Sequence, residues 1–128
     1  MSVWKRIALE KLPECKNAIE LAPDPQSLWI DIVDRFREAH REPCDLDLIR
    51  RTYELDWELI QSNSQDASSG TAIGFYHELP DDKLVAELAP RFLSRDQVAG
   101  LESLIRCWCR DRGRADQFLE RFGIHSAT

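Results

Sequence analysis

The stretch DPQSLWIDIVDRFREAHREPCDLDLIRRTYELDWELIQ, residues 24–61, decides the fold. Asp24 followed by Pro25 reads as a helix start. The carboxylate can accept the first unpaired backbone N–H groups, and proline's fixed φ suits the first helical position. At about 100° per residue, Leu28, Trp29, Ile32, Phe36 and Ala39 fall on one face, with Asp31, Asp34 and Glu38 on the other. This helix is predicted to run to about Arg41 and to be ended by Pro43. Asp45 caps the next one, through about Gln61. There Leu46, Ile49, Tyr53, Trp57 and Ile60 share a face that Leu48, Leu55 and Leu59 widen. Asp47, Arg50, Arg51, Glu54 and Glu58 lie opposite. Asp47–Arg51 and Arg50–Glu54 have i,i+4 spacing, worth only a few tenths of a kcal/mol each.

The same period extends to both sides. Ser2 can cap a helix with Trp4, Ile7 and Ala8, ending near Leu12, and Pro13 opens a short helix holding Ile19 and Leu21. Residues 62–70 read as a polar, serine-rich loop. Thr71–Leu79 reads as a helix with Ala72, Ile73, Tyr76 and Leu79 inward, although its Thr, Ile, Phe and Tyr also suit a strand pair near 71–76. Pro80-Asp81-Asp82 turns the chain into a helix with Leu84 and Leu88. Ser94 and Gln97 form a capping box for a long helix. Its inner face is read as Val98, Leu101, Leu104, Ile105 and Trp108, and Gly113 as its stop. A last helix with Ala115, Phe118, Leu119 and Phe122 ends at Gly123. The expected fold is all-α: a single domain over residues 1–128, an antiparallel helical array or bundle of about six to eight helices.

Composition narrows the function classes. A chain of 128 residues can bury a core without metal or disulfide staples. The net charge of −6 argues against nucleic acid, which calls for a basic stripe, and suits a basic protein partner. The charge is uneven, with 7 arginines against 5 acids in residues 91–128 and a net negative remainder. No run approaches the ~20 apolar residues of a membrane span. The N-terminus lacks the apolar core of a signal peptide, so a cytoplasmic location is expected.

Few residues suggest chemistry. Asp56 lies inside the apolar arc of its helix, where a carboxylate must be paired, hydrogen-bonded or neutralised. It reads either as a structural acid accepting from core donors or as a perturbed acid in a pocket with Tyr53 and Tyr76. Cys107 and Cys109 would point apart on a helix, and Pro43 separates His40 from Cys44, so neither pair suits a metal. Both Cys107 and Cys109 read instead as flanks of the apolar face around Trp108. His77-Glu78 continues as Leu-Pro, without the second histidine of a zinc protease motif. Gly70 and Gly74 lack the Lys-Ser/Thr of a phosphate loop, and Gly74 reads as a site of close helix packing. Arg106, Arg110, Arg112 and Arg114 form a basic patch at a helix end, read as dipole compensation or as a contact for an anion or acidic partner. No catalytic residue, metal ligand or cofactor is assigned.

Taken in order, Ser27–Val33, then Pro43 to Tyr53 and Trp57, then Phe75-Tyr76-His77-Glu78-Leu79-Pro80, the chain resembles a family of small all-helical bacterial domains of unknown function. The resemblance spans about residues 25–105. His77 and Glu78 stand in the reverse of that family's usual order, which separates this chain from any role of the pair there. Some of these domains resemble immunity proteins, which neutralise a cognate toxin domain. The resemblance therefore implies a non-enzymatic protein-binding module of the immunity or antitoxin kind. The alternative is an enzyme or small-molecule binder with a pocket around Asp56, Tyr53 and Tyr76. For binding, the expected surface is Asp31, Asp34 and Glu38, extended by Glu54 and Glu58, with Ile30 beside the stripe as the apolar anchor.

Overall fold

The computed structural model describes residues 2–125. It is all-α, with nine α-helices and no strand among the described residues. The chain divides into two compact units, Met1–Phe75 and Tyr76–Thr128, within the span that the sequence reading treats as one domain.

The first unit runs α1 (Val3–Lys11), a 3₁₀ turn (Pro13–Cys15), α2 (Lys16–Leu21), α3 (Pro25–Ala39), α4 (Leu46–Ile60) and α5 (Gln65–Gly74). The caps form as their residue types dictate. Asp24 accepts from the Ser27 N–H at 2.7 Å and Asp45 from the Leu48 N–H at 3.1 Å. Leu28, Trp29, Ile32, Val33, Phe36 and Ala39 bury the inner side of α3. Phe75 stacks near Trp29 and Phe36, with ring centroids 4.8 and 5.2 Å away, and Tyr53 meets Phe36 edge-on at 5.2 Å. Each such ring, once buried, stabilises by roughly 1.5–3 kcal/mol, with about 0.5–1.5 kcal/mol more for a good aromatic pair.

The second unit runs from a 3₁₀ turn (Tyr76–Asp81) through α6 (Lys83–Leu88), a 3₁₀ turn (Ala89–Arg91), α7 (Arg95–Ala99), α8 (Glu102–Trp108) and α9 (Arg112–Glu120). The Tyr76–Asp81 turn packs against α6, α8 and α9. Val85, Val98, Ile105, Ala115, Phe118 and Leu119 are buried, and Phe118 and Phe122 stack at 5.2 Å. Gly123, at φ +75°, closes the last helix in the left-handed conformation that glycine adopts without strain.

Several expectations are corrected. The loop placed at residues 62–70 is helical from Gln65, capped by Ser64, whose hydroxyl accepts from the Ala67 N–H at 3.3 Å. Its serines are cap and outer-face residues, and its small residues form the packing face. The helix placed at Thr71–Leu79 is instead the end of α5 followed by a 3₁₀ turn, since Pro80 removes a donor. Of the apolar residues read on the two short helices, Leu21 is 83% exposed and Leu84 is also exposed. On α4, Leu46 and Trp57 are exposed, and the buried arc is centred nearer Thr52 and Asp56. Thr52 tolerates this because its hydroxyl donates to the Leu48 carbonyl at 2.8 Å. The long helix after Ser94 breaks at Gly100 into α7 and α8 and stops at Trp108, ahead of the Asp111 cap; Gly113 lies inside α9. That break and the short elements raise the helix count above the six to eight expected.

Candidate functional site

The site starts from how firmly α3 is held. On α5, Ala67, Gly70, Thr71 and Gly74 are buried at helical spacing. A Cβ on Gly70 would lie 2.9 Å from the Gln26 backbone nitrogen, and one on Gly74 would lie 2.8 Å from Trp29 Cβ. The two helices thus meet almost backbone to backbone, as expected of Gly74. Trp29 Nε1 donates to Thr71 Oγ1 at 2.9 Å across this contact, which satisfies a buried indole N–H.

Clamping the inner side of α3 fixes what its outer side presents. Asp31, Asp34 and Glu38 are all exposed there. Ile30 sits beside them and is 66% exposed, whereas the apolar residues on the inner side of this helix are buried. Arg35 and Arg37 flank the stripe on either side, and the Arg35 charge also reaches Glu14 and Cys15 of the Pro13–Cys15 turn. Ile30, Asp31, Asp34 and Glu38 are thus all exposed on the side of α3 away from its buried residues.

Glu54 and Glu58 are placed differently from the expected extension. Glu54 accepts from Arg50 at 2.9 Å and lies 3.7 Å from Lys11, and Glu58 lies 3.5 Å from Lys11. Their ion pairs tie them to α1 and α4 rather than to the α3 stripe, and half-neutralise their charge. The neighbouring Arg51 is bound more tightly still. It donates to both Glu14 oxygens at 2.7 Å, to Asp47 at 2.9 Å and to the Lys11 carbonyl at 2.8 Å. The Arg51 hydrogen bonds hold the Glu14 carboxyl below its usual range, and those of Arg50 and then Arg51 do the same for Asp47. This face of α4 is a fastening for α1.

Asp56 is fully buried, and Tyr53, one turn earlier, is almost so. Burial, then the Asp56 charge, push the Tyr53 phenol well above its ordinary range, so it stays protonated. Tyr53 and Asp56 belong to the first unit and Tyr76 to the second.

In the second unit Arg106 leaves the basic patch. It donates to Glu102 at 3.0 Å and to Asp116, which joins α8 to α9. Trp108, expected in the core, is 53% exposed, and Cys107 is exposed beside it. The signal that was missed is Asp111: a cap there requires the preceding helix to have ended already. His77 Nε2 lies 2.9 Å from Glu78 Oε1. All four cysteines are free thiols, and burial raises the Cys15 and Cys109 thiols. Among the described residues no helix is long and apolar enough to cross a membrane. No family model, curated protein or solved structure matches the chain.

Proposed function

We propose that this protein acts by binding, as an immunity- or antitoxin-like module that captures a basic protein partner on the outer face of α3. The observation that carries this reading is Ile30: an apolar side chain 66% exposed beside a stripe of three carboxylates, on a helix whose other side packs closely against α5. The carboxylates supply long-range attraction and orientation, which speed encounter with a basic surface. Rim charges add little affinity by themselves, so the apolar contact at Ile30 supplies the anchor. A surface already fixed by packing also avoids much of the ordering cost of association. The resemblance to small bacterial domains supplies the toxin class of partner.

The test is co-production with each polypeptide that neighbouring genes encode, scored for toxicity alone and together, followed by kinetics on any pair that forms. Protection of the cells is expected, and Asp31→Lys, Asp34→Lys and Glu38→Lys together should slow association at low salt by roughly tenfold or more. Ile30→Ala should speed dissociation with association little changed. Absence of protection sinks the reading, and unchanged association of the lysine variant removes the α3 face from it.

A further inference from the structure

The α8–α9 corner, residues 108–112, carries features that binding through α3 leaves unused. Cys109 has extended backbone, with its sulfur 3.4 Å from Asp81 Oδ1 and 3.3 Å from the Asp111 carbonyl oxygen. Trp108 at the end of α8 and Arg110 just beyond Cys109 are both exposed, as is Arg112 in the first position of α9. The carboxylates nearby are engaged. Arg106 occupies Glu102 and Asp116, and Asp111 accepts from the Arg114 N–H at 3.2 Å. Arg114 itself reaches back to the Asp81 carbonyl at 3.1 Å. Arg110 and Arg112 have no ion pair among the described residues, and both are exposed.

We propose that this corner is a second docking surface, in which Trp108 and the guanidinium groups of Arg110 and Arg112 receive an acidic, partly apolar polypeptide segment of a partner. Charge complementarity names the occupant. Guanidinium forks match carboxylates two bonds at a time, and Trp and Arg are the residue types most enriched where binding energy concentrates.

The probe is a short synthetic peptide of alternating glutamate and leucine, titrated into the full-length protein and followed by ¹H–¹⁵N correlation spectra. Saturable shifts are expected at the Trp108 indole N–H and the Arg110 and Arg112 Nε–H groups. Arg110→Glu with Arg112→Glu should weaken binding at least tenfold, as should Trp108→Ala, while Trp108→Phe retains most of it. The rest of each spectrum reports whether the variant is folded, and Asp31→Asn, Asp34→Asn and Glu38→Gln together should leave peptide binding at the corner as in the parent, which separates this surface from the α3 reading. No shift at the corner overturns the proposal. Equal shifts with a lysine–leucine peptide reduce it to non-specific apolar contact. Tighter binding of an oligouridylate assigns the corner to nucleic acid instead.

Discussion

Gly70 and Gly74 stand where a methyl group has no room. In Gly70→Ala the new Cβ would press on backbone atoms of Pro25 and Gln26, which cannot rotate away. The variant should lose about 1–3 kcal/mol, read as a lower urea midpoint at unchanged slope. Gly100 is the control: a Cβ there meets the Asp96 carbonyl oxygen at an ordinary 3.6 Å, so Gly100→Ala should change stability by no more than about 0.5 kcal/mol. Equal midpoints for the two variants would contradict the close approach of α3 and α5. Asp56 gives the second prediction at this scale. Its carboxylate is fully buried, so Asp56→Asn exchanges an acceptor for a donor at a buried position and should cost about 1–3 kcal/mol. A neutral result would place Asp56 at the surface and shift the phase of α4.

Among the elements, α4 is fastened to α1 by charge as well as by packing. The carboxyls of Glu14 and Asp47 are held below their usual range, so they bind protons less readily in the folded chain than in the unfolded one. Their contribution is therefore present above the ordinary carboxylate range and is lost as pH falls through the lowered values. Arg51→Met should be less stable than the parent by about 1–2 kcal/mol at neutral pH, allowing for solvent screening of the exposed partners. The difference should shrink steadily in denaturation curves taken below about pH 4.5. A gap that stays constant into acid would mean that Arg51 acts by packing alone. The elements also show what was legible. Asp24, Asp45, Ser94 and Asp82 announce helix starts because a cap is a local interaction between a residue and its own next turn. The exposed stripe of α3 was equally readable, since its apolar residues leave the phase in no doubt. α5 was not, because glycine, serine and threonine are poor helix formers and its helicity rests on close packing against α3. Trp57 and Trp108 were misplaced because a large apolar side chain counts as core in a periodic pattern, while the buried centre of α4 is held by Thr52 and Asp56.

For the whole molecule, charge decides how the α3 reading can be tested. Three lysine reversals take the formal charge from −6 to zero, where proteins tend to associate and precipitate. The lysine variant should therefore be the least soluble near neutral pH, while Asp31→Asn, Asp34→Asn and Glu38→Gln together leave −3 and should keep the parent's solubility. Light scattering over a concentration series distinguishes them, and equal scattering would show that this face does not control colloidal behaviour. Both variants should keep the helix-dominated far-ultraviolet circular dichroism expected when 76% of the described residues are helical, because the altered side chains all lie outside the core.

The four tryptophans are also unequal as light emitters. Trp29 is sealed and hydrogen-bonded, Trp4 is half-buried with the Lys5 ammonium 5.4 Å from its ring centre, and Trp57 and Trp108 are 40% and 53% exposed. Dissolved collisional quenchers therefore sort them by access and by sign. Iodide, drawn to Arg110 and Arg112, should darken Trp108 first, while Trp57, with no such cation pair beside it, should respond less to iodide. The blue-shifted glow that survives iodide belongs to Trp29, so its fading during denaturation times the parting of α3 from α5.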